Sequence, residues 1–262
     1  MLSALIDCIR FYSRLPVPVF AFEKDPHGLP HFPHIVRMLP LASLIITLPA
    51  AVVIVLADWF WSPLVTASLA LTMSVLSTGA FHEDGLADVA DGLGGGETVA
   101  RRLEIMTDSR IGTYGGAALV LSFLLRITVL ADLIDALGAT ETALLVLAIA
   151  PLSRMAGLLP LMLLANAKPD GKAAAVGRPD GTTYLATLAF ALLLSGALLW
   201  WAGCEVETIL LVWPIGFIAV MPLLLMARRL IGGQTGDVAG AAQQIAEMAF
   251  LLTLSACANW TS

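Results

Sequence analysis

The sequence predicts an all-α, polytopic membrane protein with about seven transmembrane helices and an N-terminal interfacial helix, and three observations carry that expectation. Of its 262 residues 58% are hydrophobic and only 13% are charged, against about 25% charged in ordinary soluble domains. The apolar residues fall in blocks of about twenty, the length that crosses a hydrocarbon layer as a helix. The cationic residues also alternate between connections. Arg10, Arg14, Lys24 and Arg37 precede the first block; Arg101, Arg102 and Arg110 separate the second from the third. Lys168, Lys172 and Arg178 lie between the fourth and fifth, and Arg228 and Arg229 between the sixth and seventh. The other connections, near Asp58, from Asp132 to Glu141 and from Glu205 to Glu207, contain no Lys or Arg, and neither does the C-terminal tail. By the positive-inside rule the N-terminus and the cationic loops face the cytoplasm.

Taken in order, residues 2–15 place Leu2, Leu5, Ile6, Ile9 and Tyr12 along one helical face, with Asp7, Arg10 and Arg14 elsewhere. This reads as a short helix lying at the interface. From Pro16 to Pro40 the chain is rich in Pro and His and is expected to be an extended connector. His27, His31 and His34 have helix-like spacing, but Pro30 and Pro33 break a helix there, so no metal role is assigned to them. Seven spans follow, at about 39–57, 63–81, 114–132, 142–165, 184–203, 208–227 and 238–258. Asp237, Gln243, Gln244 and Glu247 make the first half of the last one polar. The whole of 1–262 reads as one integral membrane domain, with 1–37 as interfacial helix and connector and 82–113 as an acidic cytoplasmic loop.

A net charge of −6 argues against nucleic acid as a partner. Cys8, Cys204 and Cys257 have no metal-ligand spacing and read as small apolar fillers. The N-terminus lacks a signal-peptide pattern, since charges and Pro16 and Pro18 interrupt its first apolar stretch.

Every motif-like segment falls on the cationic side. Between Phe81 and Gly116, Asp84, Asp88 and Asp91 stand at i, i+4 and i+7, so a helix brings all three onto one face. Glu104 and Asp108 form another i, i+4 pair on a second expected helix, the run from Thr98 to Asp108. Gly92 and Gly94 to Gly96 are expected to turn the chain between these pieces, so that their carboxylates face each other. Like charges packed at a membrane surface repel unless a cation neutralises them. An all-oxygen cluster suits Mg²⁺ better than zinc, and Mg²⁺ commonly bridges a few carboxylates to substrate phosphates. Asp84, Asp88, Asp91 and Asp108 are therefore the candidate metal ligands. Arg101, Arg102 and Arg110 supply cations for phosphate oxygens, and the backbone N–H groups of Gly94 and Gly95 are open to a phosphate. Such parts make a phosphoryl-transfer site.

Further on, Gly236-Asp237-Val238-Ala239-Gly240 echoes Ala87-Asp88-Val89-Ala90-Asp91. Asp237 and Glu247 enter the last span, where ionisable residues mark functional sites by default. Arg154, in the fourth span, is equally costly to bury and is expected to pair with a loop acid or a substrate phosphate. Pro-Asp-Gly occurs twice between Lys168 and Gly181, which is turn chemistry.

These residues resemble one family, the adenosylcobinamide-GDP ribazoletransferases, or cobalamin synthases. The resemblance is carried by Ser13-Arg14-Leu15-Pro16-Val17-Pro18, by His82-Glu83-Asp84-Gly85-Leu86-Ala87-Asp88 through Asp91-Gly92, and by Arg102-Leu103-Glu104-Ile105-Met106. Asp108 to Thr113, Gly233-Gln234-Thr235-Gly236-Asp237 and Gly240-Ala241 complete it. Glu83 departs from the family, which usually has an apolar residue there. The resemblance implies a Mg²⁺-dependent enzyme of the cytoplasmic (inner) membrane of a bacterium or archaeon. Its substrates would be adenosylcobinamide-GDP and α-ribazole or α-ribazole 5′-phosphate, and GMP would be released. In that mechanism Asp108 and Asp237 are both candidates for the general base, with Arg110 beside them, and Arg154 joins the phosphate-binding group. The bilayer is a partner, and a homo-oligomer is compatible with all of this.

Two rival readings come from other classes. Asp88-Val89-Ala90-Asp91-Gly92 fits the start of the CDP-alcohol phosphotransferase pattern, although Gly112 stands where its final aspartate is expected. An ion-coupled transporter would place its charges near the bilayer midplane, whereas most acids here cluster in one loop.

Overall fold

A computed structural model describes residues 1–21, 28, 31–168 and 177–261, the side chains from 259 onward excepted. The described residues form helices and no strand; Asn166 and Gln234 make one isolated bridge. Lys24, His27, Pro30 and Lys172, and with them the first Pro-Asp-Gly turn, lie outside the described residues.

The first helix, α1 (Leu2–Tyr12), buries Ile6, Ile9 and Tyr12 of its expected face together with Ala4 and Cys8, while Leu2 is exposed. The connector is less extended than expected. A short helix α2 (Phe32–Ile35) and a 3₁₀ turn (Val36–Met38) lead directly into α3 (Leu39–Ala57). Pro33 falls in the first turn of α2, where its missing N–H would have had no helical partner anyway. His31 precedes that turn and His34 is exposed.

Next come α4 (Pro63–Thr78), α5 (Phe81–Gly95), α6 (Val99–Ile105), α7 (Thr113–Leu137), α8 (Ala139–Gly157) and α9 (Leu159–Leu163). The chain ends in α10 (Gly181–Trp201), α11 (Val206–Leu230) and α12 (Gly236–Thr261). The Asp180 carboxylate accepts the backbone N–H of Thr183 at 2.9 Å and so caps α10. Among the described residues, six segments are long and apolar enough to cross a membrane: Phe32–Ala57, α7, Ala139–Leu163, α10, α11 and α12 as far as Ala258. The remaining expected crossing is α4, only 16 residues long and followed after an 89° bend by α5.

Helix α8 is the centre of the bundle, with Leu145, Ala148, Leu152, Met155 and Ala156 fully buried against α3, α10 and α12. Many contacts are alanine, including Ala42, Ala148, Ala241, Ala242 and Ala246; small side chains let helix backbones approach where lipid offers no hydrophobic drive. The outer surface carries exposed Leu48, Val52, Leu121, Leu124, Leu193, Ile218 and Leu225, a surface suited to lipid. Trp59, Trp61, Trp200 and Trp201 are exposed where α3 and α10 end, as interfacial aromatics are.

The connections that carry the motifs converge on one face. The Arg14 N–H donates to Ser77 O at 2.7 Å, so α4 returns to the side on which α3 begins. Lys168 Nζ donates to Leu103 O at 3.1 Å, and Arg102 Nη1 to Leu230 O at 3.3 Å.

Candidate active site

The bend between α4 and α5 is built from local backbone chemistry. Gly79 has φ +66° and Ala80 φ +58°, both left-handed. A Cβ on Gly79 would also lie 2.7 Å from Arg14 Cγ, so the Ser13-Arg14 segment wraps a position that only glycine fills without strain. The consequence is that α5 leaves the line of α4 and packs against α7 and α12. Its Asp84 is exposed and Asp88 half-buried. Exposed carboxylates are costly in hydrocarbon, which favours a position for α5 outside the spans, after the bend.

The helix does put Asp84, Asp88 and Asp91 on one side, but they do different work. Asp91 is buried and accepts the N–H groups of Gly112 at 2.7 Å and Gly115 at 2.8 Å. It therefore satisfies the open N-terminus of α7, and both oxygens are engaged. Gly112 and Gly115 make room for it: a Cβ on either would sit within 2.4 Å of the Asp91 carboxylate. The expectation that Asp91 is a free ligand meets this structural commitment, whose sequence signal was the glycine pair that follows it.

Asp84 and Asp88 instead face the start of α12. A Cβ on Gly85 would come 2.8 Å from Asp237 O and 3.2 Å from the Gly240 Cα, so backbones meet there. Burial, and then the charges of Asp84, Asp237 and Asp91, push the Asp88 carboxyl up to about 7. Asp237 accepts from Thr235 Oγ1 at 3.1 Å; Asp84 and Lys168 act on it electrostatically. Asp84, Asp88 and Asp237, from two distant motifs, thus form one acidic cluster.

The other expected site residues are elsewhere or are differently engaged. Asp108 lies beyond α6 in a two-pronged pair with Arg110, Nη2 to Oδ2 at 2.6 Å and Nε to Oδ1 at 3.0 Å. These hydrogen bonds hold its carboxyl low, at about 2. It is not among the charges that raise Asp88. Arg101 pairs with Glu104 at 2.7 Å in the open, so Glu104 does not face the aspartates across the loop as expected. Gly94 and Gly95 do not form a turn. They lie in the last turn of α5, where N–H groups bond back along the helix and only carbonyls are free. The glycines instead let α6 close in: a Cβ on Gly92 would meet Met106 Cγ at 2.3 Å, and one on Gly96 would meet Arg102 Cγ at 2.4 Å.

Arg154 does not reach the loop face. It is buried beside Thr47 Oγ1 at 3.5 Å and Ala150 O at 3.3 Å, and lines an internal cavity with Glu247. Sequence reading also missed Arg126, which is 1% exposed and paired with Glu83 at 3.1 Å and Glu247 at 3.3 Å. A lone arginine in the apolar run of α7 was its signal. His82 stacks on Tyr12 with ring centroids 6.1 Å apart, next to Phe81, and belongs to the packing between α1 and α5.

Among the described residues, no three His, Cys, Asp or Glu side chains converge closely enough to hold a metal ion unaided. The aspartate cluster concentrates negative charge at one place, through the mutual influence of Asp84, Asp88 and Asp237.

The chain matches the family described as cobalamin-5-phosphate synthase over residues 4–255. It is 46% identical over 245 residues to the adenosylcobinamide-GDP ribazoletransferase of Azorhizobium caulinodans, covering 93% of this chain and 92% of that protein. It is 47% identical over 250 residues to the enzyme of the same name from Xanthobacter autotrophicus, covering 95% and 94%. For that of Sinorhizobium medicae the figures are 42% over 248 residues, 94% of each. No solved structure matches. The match runs through both acidic motifs and nearly every helix, and the chain belongs to the cobalamin-5-phosphate synthase family.

Proposed function

We propose that this protein joins α-ribazole, or α-ribazole 5′-phosphate, to adenosylcobinamide-GDP and releases GMP. The reaction would take place on the cytoplasmic face of the inner membrane. The observation that carries this reading is the meeting of Asp84 and Asp88 with Asp237 across the Gly85–Gly240 contact. The two halves of the family pattern, far apart in sequence, touch there, which supports a shared site.

Asp84 and Asp88 would hold Mg²⁺, with phosphate oxygens and water as the remaining ligands; such partial protein coordination is usual for this ion. Bound there, it would neutralise charge on the diphosphate and on departing GMP. The ribazole hydroxyl oxygen forms a bond to the corrinoid-side phosphorus, and the bond from that phosphorus to the bridging oxygen of GMP breaks. The hydroxyl proton passes to a carboxylate. Asp108, held at about 2 by Arg110, is a weak base, so Asp237 takes this role. Arg110 lies in the loop that Gly112 ties to Asp91, and its Nη1, which the pair with Asp108 does not use, would donate to the diphosphate while that pair stays intact.

The test is incubation of purified protein with adenosylcobinamide-GDP, α-ribazole and Mg²⁺, followed by mass spectrometry. Cobalamin and GMP in equal amounts are expected. Turnover of a CDP-lipid with CMP release, and none of the corrinoid, would overturn the reading.

A further inference from the structure

Inside the bundle, below the acidic cluster, lies a polar group that the transfer reaction does not use. Arg126, on α7, reaches two helices at once: Nη2 meets Glu83 Oε1 on α5 at 3.1 Å, and Nη1 meets Glu247 Oε1 on α12 at 3.3 Å. Its guanidinium also lies 5.4 Å from the centroid of the Phe123 ring. Gln243 Nε2 donates to Glu247 Oε2 at 2.6 Å and to Ser153 Oγ on α8 at 3.1 Å. Gln244 Nε2 donates to Gln243 Oε1 at 2.9 Å and approaches Glu83 Oε1 at 3.4 Å.

Stability alone does not account for this network. Buried ion pairs replaced by apolar groups of similar volume often leave a protein equally stable or more so, and ionisable groups within a membrane protein are costly. Nor is it fully satisfied: Arg126 Nε, Glu83 Oε2 and Gln244 Oε1 are buried without partners. What the network does is geometric. Glu83 immediately precedes Asp84 and lies two residues before Gly85, where α5 touches α12. Successive residues on a helix are rotated by about 100°. Fixing Glu83 therefore fixes the rotation of α5 and the direction of its Asp84–Asp88 stripe, while Glu247 fixes α12 and hence Asp237.

We propose that Arg126 is a positioning residue: by holding Glu83 and Glu247 together it sets the register in which α5 presents Asp84 and Asp88 to Asp237. This rests on the transfer-site reading. It also gives a reason for the acid at position 83.

The test is a double variant, Glu83→Gln/Arg126→Met, which removes one charge of each sign and leaves Glu247 to face the buried Arg154. Wild type and variant are compared by thermal unfolding, by substrate-free Mn²⁺ binding followed by electron paramagnetic resonance, and by kcat and KM. The variant is expected to melt close to wild type and to bind Mn²⁺ about 10–100-fold more weakly, the usual effect of losing a residue that orients ligands. Its kcat falls at fixed metal while the KM for α-ribazole holds. Arg126→Lys, which keeps the charge but not the two-pronged fork, falls between. A folded double variant with wild-type Mn²⁺ affinity would overturn the proposal. Should the wild type itself take up no Mn²⁺, the metal reading falls, and hydrogen exchange decides the role of Arg126. Faster exchange across 81–95 with α7 unchanged supports positioning, and unchanged protection of α5 refutes it.

Discussion

Replacing Asp88 by Asn should stabilise the metal-free protein while destroying its activity. Burial and three neighbouring carboxylates raise the Asp88 carboxyl from 3.8 to about 7. The folded state therefore binds this proton more tightly than the unfolded state does. Its stability is highest below about pH 4 and declines as pH rises from there through about 7, because the ionised form is disfavoured only in the native cluster. A tenfold change in proton affinity is worth about 1.4 kcal/mol, so the ceiling on this penalty is about 4 kcal/mol above neutrality. Asp88 is only half-buried, and solvent screening lowers the figure to about 1–2 kcal/mol. For a chain of this size that corresponds to a Tm difference of about 2–8 °C. The assay is thermal unfolding of both proteins in detergent with a chelator at pH 4.5 and pH 8. The Asn variant should melt higher at pH 8, with the gap nearly closed at pH 4.5. Added Mg²⁺ should raise the wild type alone, by mass action on the folded state. An Asn variant melting at or below wild type at pH 8 without metal would refute the reasoning.

Four further outcomes follow from the same geometry. Asp84→Asn, at an exposed position, removes one of the charges that raise Asp88, so the metal-free protein should melt no lower than wild type while turnover at limiting Mg²⁺ is abolished; near-normal rates would remove Asp84 from the site. Gly85→Ala drives a Cβ to 2.8 Å from Asp237 O and should cost about 1–3 kcal/mol in Tm measurements along with most of the turnover. Gly181→Ala, which meets nothing within 4 Å, is the control that should change neither. Asp237→Asn should slow the reaction about 10²–10⁴-fold without rescue in a Mg²⁺ titration; rescue would make Asp237 a ligand, and wild-type kinetics would make it a helix cap. Glu97→Cys should be labelled by an impermeant thiol reagent only from the cytoplasmic side and Thr140→Cys only from the other. Labelling of both from one side would overturn the topology.

The spans were legible because a helix in lipid must be apolar along its whole length, and that requirement writes itself directly into composition. The Asp84–Asp88 stripe was legible for a similar reason, since i, i+4 spacing admits one helical reading. The glycines were not. Gly92, Gly94 and Gly95 occur in a pattern that serves equally for a turn or for close helix contact, and only Met106, Tyr114 and Arg102 packed over the glycines at 92, 94 and 96 decide for contact. Asp91 looked like its neighbours on the stripe, yet the N–H groups that claim it belong to Gly112 and Gly115. Arg126 was overlooked because its partners, Glu83 and Glu247, come from two other helices, and pairing across a bundle leaves no local spacing to read.

The shortness of α4 has a consequence for the lipid around it. Sixteen residues at 1.5 Å each reach about 24 Å, less than the roughly 30 Å of an average hydrocarbon core. One flank of this helix is bare, with Leu64, Val65, Leu69 and Leu76 exposed, so acyl chains must meet it directly. A bilayer of average thickness would thin beside α4, drawing headgroups toward the Gly79 bend at an elastic cost that grows with acyl-chain length. The enzyme should accordingly partition into thin membranes over thick ones, and bilayer thickness becomes a variable that acts on the acidic cluster through the helix that ends beneath it.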